Sequence, residues 1–338
     1  MNLNEIRKRV INRESFYSLL FPPLLLLSGL YCGATRLRNS LYDLGILKER
    51  EFERPIISVG NLVAGGSGKT PTVELIYRFL EREGYSPVIV TRGYKGREKG
   101  PLLVREPEPE RFGDEASLYA LKGYRCVVSK DKVLGVEFAI RNGAGVLIVD
   151  DGFQSRKLSY TLNLLLIDPF NPFGDGYCLP LGLLRESLSS LERADAFLIT
   201  RANLVSKERL FSLSLYLKTF KKPIFFVEQH FSGWVNGLFK KSSPPNKSQP
   251  LNLFCGIGNP EQFKKMIEEM GYKVETCKAF PDHHAYSKGE IAELSRLKNL
   301  ITTEKDLIKV GRELPSVKAP VLEFKSPKLQ EFILKTKL

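Results

Sequence analysis

The chain has 338 residues, 43% of them hydrophobic and 26% charged, which is enough for two compact domains with ordinary cores and is not the composition of a disordered chain. Its net charge of +13 points toward anionic partners: nucleic acid, phosphorylated small molecules or the anionic face of a membrane. The cysteines at 32, 126, 178, 255 and 277 are odd in number and contain no CxxC pair, so neither a disulfide framework nor a zinc site is indicated, and they read as packing residues of a reducing compartment.

The first distinctive element is "FYSLLFPPLLLLSGLYCGAT", Phe16 to Thr35, which carries no charge. Arg7, Lys8, Arg9 and Arg13 precede it, and Arg36 and Arg38 follow. Twenty helical residues span roughly 30 Å, about one bilayer core. A secretory signal has a shorter apolar region and an A-x-A-like cleavage site, and no good one follows here. Pro22-Pro23 is expected to break a single helix. A buried helix pair competes with a membrane-associated segment, and the arginine flanks favour the membrane. Basic residues on both sides set no orientation. "RLRNSLYDLGILKEREFERP" then reads as a short helix and a polar connector.

From Pro55 apolar strands alternate with helical patterns. "PIISVG", "PVIVTRG", "RCVVSK", "GVLIVDD", "LNLLLID" and "AFLITR" are strand candidates, several of them uninterrupted apolar runs of the kind buried on both faces of a parallel sheet. Helices such as "TPTVELIYRFLEREG" lie between them, which makes a βαβ architecture. Around "HFSGWVNGLFKKSSPPNKSQP" the pattern dissolves into turn and linker residues. A second alternation follows: "LNLFCGIG", a helix over "PEQFKKMIEEMG", "KVETCKAF", a helix over "SKGEIAELSRL", "NLITT" and "PVLEF". The expected organisation is an N-terminal membrane-associated segment (1–50), a P-loop α/β core with a mostly parallel sheet (51–230), a linker (231–250) and a smaller α/β lobe (251–338). A cleft between two such lobes is a common place for an active site.

The stretch "SVGNLVAGGSGKTPTVELIYRFL" carries the chemistry. The Walker A pattern, G-x-x-x-x-G-K-[ST], falls on "VAGGSGKT": Val63, Ala64, Gly65, Gly66, Ser67, Gly68, Lys69 and Thr70. Val63 replaces the first glycine. The glycines let backbone N–H groups approach phosphate oxygens, and the helix that follows points its positive end at them. Lys69 would reach the β and γ phosphates, and the Thr70 hydroxyl would ligate Mg²⁺. Pro71 is tolerated in a first helical turn. "GVLIVDDGFQ" supplies the acidic strand end, with Asp150 and Asp151 able to hold Mg²⁺ directly or through water. Such a site transfers or hydrolyses a terminal phosphoryl group.

Guanine recognition would need an N/T-K-x-D stretch. The nearest match, "TTEKD" at 302–306, has its lysine one place late, so ATP is preferred. A phosphotransferase also needs a base for the acceptor's proton. "RFGDEASLYA" offers Asp114 and Glu115 at a helix start, where acids also occur simply because they suit the helix dipole. "FPDHHAYS" offers Asp282, His283 and His284 in a loop, where histidines can equally be surface polar residues. A membrane-associated P-loop ATPase or GTPase acting as a switch or chaperone for a protein partner shares the loop and the acids, but requires neither Asp114 nor His283.

Eight stretches, "VGNLVAGGSGKTP", "TRGYKG", "GDEA", "DDGFQSRKL", "LPLGLLRE", "FCGIGNPEQF", "FPDHHAYS" and "TTEKDLIK", occur in the order found in tetraacyldisaccharide 4′-kinases, the lipid A 4′-kinases of Gram-negative bacteria. The chain resembles that family from about residue 15 to about 310. The resemblance implies transfer of the γ-phosphate of ATP, with Mg²⁺, to the 4′-hydroxyl of a tetraacylated glucosamine disaccharide 1-phosphate, giving lipid IV-A. The work is expected at the cytoplasmic face of the inner membrane, beside its lipid, with no nucleic acid and no obligate protein partner. By the same resemblance Asp114 is the acceptor-side base assisted by His283, and Glu115, Asp150 and Asp151 serve the metal and phosphate site. Arg38, Asn39, Arg92, Gln154, Arg156 and Arg185 are candidates for the lipid's phosphate and sugar. The chain departs from the family pattern at Ser155, where histidine is frequent, at Lys132, where arginine is frequent, and in "LPLGLLRES". No role is assigned to Ser155 or Lys132.

Overall fold

The computed structural model describes residues 3–336. In chain order the N-terminal half contains α1 (Leu3–Ile11), α2 (Phe21–Asp43), β1 (Ile56–Asn61), α3 (Lys69–Arg82), β2 (Pro87–Thr91), β3 (Leu102–Val104), α4 (Pro109–Phe112), α5 (Asp114–Leu121), β4 (Cys126–Val128), α6 (Lys132–Arg141) and β5 (Val146–Asp150). It continues with β6 (Leu162–Ile167), β7 (Ala196–Thr200), α7 (Lys207–Lys218), β8 (Ile224–Asn236), β9 (Lys241–Ser242), β10 (Leu251–Cys255), α8 (Pro260–Glu269), β11 (Val274–Ala279), α9 (Lys288–Leu294), β12 (Leu300–Ile301), α10 (Glu304–Val310), β13 (Lys318–Lys325) and α11 (Pro327–Lys335). The chain is a mixed α/β protein with mostly parallel strands, and it divides into two compact units, each assembled from separate stretches.

The first unit comprises residues 1–69, 151–228 and 326–338. Its strands run parallel in the order β1, β6, β7 and the first part of β8. Every residue of β1, β6 and β7 is buried, which is why apolar residues fall on both faces of these strands rather than alternating with polar ones. Leu165, Ile167, Phe197, Ile199, Leu213 and Leu217 form its main core cluster. At Gly60 an added Cβ would lie 2.6 Å from Phe153 Cβ, so only glycine lets the turn after β5 close onto β1.

The second unit comprises residues 70–150 and 229–325. Here β5, β2 and β4 run parallel, with β3 as an antiparallel edge. A further parallel set runs β11, β10, β12, β13. Phe254, Leu294, Leu307 and Val310 pack the face that carries α10, and Leu251, Leu253, Phe263 and Ile267 the face that carries α8.

Three expectations change. Pro22-Pro23 does not break a helix but starts one: both sit in the first turn of α2, where a missing N–H has no partner to lose. The same helix runs on to Asp43, so the expected separate short helix after Arg36 is its continuation. Tyr17–Asp43 is by length and composition capable of crossing a membrane, and it is mostly exposed. Finally, β8 reaches Asn236, inside the stretch expected to be linker; Trp234, only 5% exposed, anchors it to a core cluster, and Trp234 and Val235 pair antiparallel with β9. A buried aromatic outweighs the turn-like composition around it.

Candidate active site

In the first unit the phosphate loop leaves β1 at Asn61 and enters α3 at Lys69. Gly65 (φ 123°) and Gly68 (φ 87°) hold backbone angles that side chains oppose, turning N–H groups into the loop. Val63 bridges Leu184 in an antiparallel pair, an extended conformation any residue can adopt, which explains why glycine is not required at that place in the pattern. The floor is pinned from beneath: Thr200 Oγ1 donates to the Ser67 carbonyl at 3.0 Å, Arg201 Nη2 to the Gly66 carbonyl at 2.6 Å, and the Ala64 N–H to the Leu183 carbonyl at 2.8 Å. Ser67 is buried, while Gly65 and Gly66 are exposed.

Lys69 is positioned by one amide and one carboxylate. Its Nζ donates to Asn61 Oδ1 at 3.2 Å and lies 3.5 Å from Asp151 Oδ1. Arg185 Nη1 grips both carboxylate oxygens of Asp151, at 2.9 and 2.8 Å. Gln154 donates to the Asn61 carbonyl at 2.8 Å. Lys69, Asp151, Gln154 and Arg185 therefore form one connected cluster. Asp151 takes φ 53°, a left-handed conformation that points to a built turn.

Other predicted substrate groups lie in the same unit. Arg38 Nη2 meets Glu186 Oε1 at 2.5 Å and Asn39 donates to Glu186 Oε2 at 3.1 Å, with Arg193 on Oε2 at 2.6 Å. Glu186 is buried, so this one carboxylate ties α2 to the core. Arg156 is engaged by Asp43 at 3.0 Å and Glu49 at 2.8 Å, apart from the Lys69 cluster in its partners. In the second unit, Arg92 follows β2 and is exposed.

The second unit also holds the acid–base group. Asp114 and Glu115 open α5 after Gly113, whose φ of 86° only glycine adopts without strain. His283 Nδ1 lies 2.8 Å from Asp114 Oδ2, and Lys309 Nζ lies 2.9 Å from the same oxygen. Lys305 Nζ lies 2.8 Å from Glu115 Oε1, with His283 Nε2 at 3.7 Å from that oxygen. Lys305 and Lys309 stand four residues apart on α10 and so share a face. Burial alone would raise the Glu115 carboxyl, but the ammonium of Lys305, aided by His283, outweighs it and holds the group down at about 2. Burial would likewise lower Lys305, and Glu115 reverses this and raises it.

His283 is fixed from four sides. Its own N–H donates to the Gly256 carbonyl at 3.0 Å. Lys95 Nζ donates at 3.1 Å to the carbonyls of both Asp282 and His283. Tyr94 packs its ring edge-on at 5.2 Å, and Asp114 holds Nδ1. Its φ of 56° is strained for a non-glycine residue, and the surrounding contacts pay that strain back. Asp306, fully buried, accepts from the Gly256 N–H at 2.9 Å and so fixes the strand end from which the 281–284 loop hangs. His284, by contrast, turns to Glu290 at 3.1 Å.

Sequence reasoning did not single out Lys309, Lys95 or Asn61, and it weighed Lys305 only as the misplaced lysine of a guanine-reading stretch. The i, i+4 lysine pair in "EKDLIK" is the signal that could have shown two cations aimed at two adjacent acids. Asp150, at the end of β5, is buried and accepts from the Tyr119 hydroxyl at 3.1 Å. Thr70 is buried in the first turn of α3. Among the described residues no group of three or more His, Cys, Asp and Glu side chains is arrayed for a metal.

Comparison with known proteins decides between a kinase and a switch. Residues 20–337 match the LpxK family, described as tetraacyldisaccharide-1-P 4′-kinase. The chain belongs to the LpxK family. Among its relatives is the tetraacyldisaccharide 4′-kinase of Desulfotalea psychrophila, 35% identical over 92% of this chain and 94% of that protein. The enzyme of the same name from Syntrophus aciditrophicus is 34% identical over 81% of this chain and 80% of that protein. Among solved structures, LpxK from Aquifex aeolicus in complex with ATP superposes with a TM-score of 0.75 at 33% identity, covering 94% of this chain and 99% of that one. As an LpxK-family member the chain is an ATP-binding kinase of lipid A biosynthesis with a lipid disaccharide-phosphate as its class of substrate.

Proposed function

We propose that the chain moves the γ-phosphoryl group of ATP to the 4′-hydroxyl of tetraacyldisaccharide 1-phosphate, with Asp114 as the base. The observation that carries this is the convergence of His283 and Lys309 on Asp114 Oδ2. Two donors on one oxygen orient the carboxylate and leave Oδ1 to accept the proton of an alcohol. As that proton moves to Asp114, the alcohol oxygen bonds to the γ-phosphorus, the bond from the γ-phosphorus to the β–γ bridging oxygen breaks, and ADP leaves. His283 acts through Asp114, and its strained loop keeps it there. In this reading residues 51–230 supply the loop and the acids, and residues 251–338 supply His283.

Lys69 and the amides of Val63, Gly65, Gly66, Gly68 and Thr70 hold the triphosphate, while Ala64 and Ser67, expected to share that role, spend their N–H groups on the Leu183 and Gly65 carbonyls at 2.8 and 3.1 Å and shape the loop instead. The donor set fits Mg²⁺: the Thr70 hydroxyl and the Asp150 carboxylate are hard oxygen ligands, and this ion on a nucleotide needs few protein ligands. When bound it would neutralise charge developing on the phosphates. Asp151 and Glu115 each sit against a cation, Arg185 and Lys305, and serve by orienting those cations as well as the metal's surroundings. Arg38, Asn39, Arg92, Gln154, Arg156 and Arg185 are proposed for the substrate's sugar and phosphate. An acylated acceptor and an exposed apolar α2 favour work at the cytoplasmic face of a bacterial inner membrane.

The test offers labelled ATP with the acylated disaccharide 1-phosphate and with a panel of water-soluble sugars. Label should enter the acylated acceptor alone. Transfer to the soluble sugars at equal efficiency would remove the substrate assignment.

A further inference from the structure

Helix α7 is apolar on two opposite faces. Leu213 and Leu217 are buried in the main cluster of the first unit. Phe211 and Leu215 point the other way and are 70% and 59% exposed. At 100° per residue Lys207, Phe211, Leu215 and Lys218 fall within an arc of about 80°. The stripe thus places two apolar side chains between lysines. Lys221 and Lys222 follow directly, and Glu208 is the one acid between Leu204 and Lys222. A large exposed apolar face on a charged helix is expected to be covered by something.

Its surroundings say by what. Residues 171–178 link α7 to α2: Phe173 packs on Tyr216 of α7 at 4.9 Å, and Tyr177 packs on Phe21 of α2 at 6.2 Å. Ser28 of α2 donates to the Cys178 carbonyl at 2.7 Å, and Cys32 of α2 packs against the same core cluster as Leu210 of α7. Two helices with exposed apolar side chains are therefore braced on one loop.

We infer that α7 is a second membrane-contacting element, with Phe211 and Leu215 entering the headgroup boundary of an anionic bilayer and Lys207, Lys218, Lys221 and Lys222 reaching lipid phosphates. This rests on the reading of α2 as membrane-associated. Long lysine stems beside buried apolar side chains suit the bilayer interface. Each lysine near an anionic surface adds to the attraction, and salt weakens it. Two braced contacts fix the enzyme's tilt on the membrane, which a single helix does not.

The full chain carrying F211W is mixed with phosphatidylethanolamine and phosphatidylglycerol vesicles containing brominated acyl chains. The wild type, whose single Trp234 is buried, supplies the background. The introduced indole should be quenched well beyond that background. F211E/L215E should bind vesicles about tenfold more weakly while keeping its thermal midpoint and its turnover of detergent-dispersed acceptor. A chain that binds vesicles with an unquenched indole overturns the inference and leaves α2 as the anchor. A chain that does not bind vesicles removes the α2 reading with it. If F211E/L215E instead abolishes a lipid-free dimer in sedimentation, the face belongs to a second copy and the inference fails.

Discussion

His283 meets Asp114 through Nδ1 at 2.8 Å although 169 positions separate them in the chain. Lys309 completes the group from α10 at 2.9 Å and is itself only 9% exposed. A nearly dry ammonium on the same oxygen as an imidazole fixes which of the carboxylate's oxygens is available.

Lys309→Met should therefore slow phosphoryl transfer by about 10- to 100-fold with ATP affinity unchanged, because it strips one of two donors from the base. The buried Asp306 carboxylate also loses a neighbour at 3.5 Å, so a stability loss of about 2–3 kcal/mol should accompany it. Lys309→Arg should recover part of both. Steady-state kinetics, calorimetric ATP titration and thermal melts separate these effects. Unchanged kcat in Lys309→Met would show that the ion pair is structural alone.

Glu115 and Lys305 make a pH prediction. The Glu115 carboxyl is depressed from 4.5 to about 2 in the folded chain. A depressed carboxyl stabilises the fold above its unfolded value, and that contribution disappears as pH falls from about 4.5 toward 2. It is on the order of 3 kcal/mol. Lys305→Met leaves burial as the dominant influence, so the carboxyl rises. The variant should lose stability at neutral pH and show a flatter decline on acidification than the wild type. Parallel acid-unfolding curves for the two would contradict the ion pair's role.

Gly60→Ala tests the turn beneath the site. The new methyl would lie 2.6 Å from Phe153 Cβ and 2.7 Å from its backbone nitrogen, and backbone cannot yield cheaply. A loss of about 2–3 kcal/mol is expected in chemical denaturation. Gly66→Ala meets nothing within 4 Å and carries no positive φ, so it should leave the fold's stability nearly intact. Equal stability losses in the two variants would refute this packing argument.

Much of the fold could be read from residues because buried parallel strands write themselves as unbroken apolar runs. The phosphate loop was readable because its spacing encodes one backbone shape, and Val63 was tolerable because that position is extended. The base was not readable in the same way. Asp114 and His283 carry no mutual spacing, and local pattern alone left each beside an ordinary surface explanation; the family resemblance joined them. Lys305 and Lys309 were hidden for a different reason: lysines four apart on a short helix are usually solvated, and only tertiary packing turns them toward Glu115 and Asp114. Around residue 230 local composition misled, since Trp234 packs in a way its turn-rich neighbours do not announce.

The most direct test is a single-turnover measurement with preformed enzyme–ATP complex, rapidly mixed with the acylated disaccharide 1-phosphate, for wild type, Asp114→Asn and His283→Gln. Transfer should fall by about 10²- to 10⁴-fold in Asp114→Asn and by less in His283→Gln, with ATP binding close to wild type in both. Wild-type transfer rates in Asp114→Asn would contradict the assignment of Asp114 as the group that takes the sugar's proton.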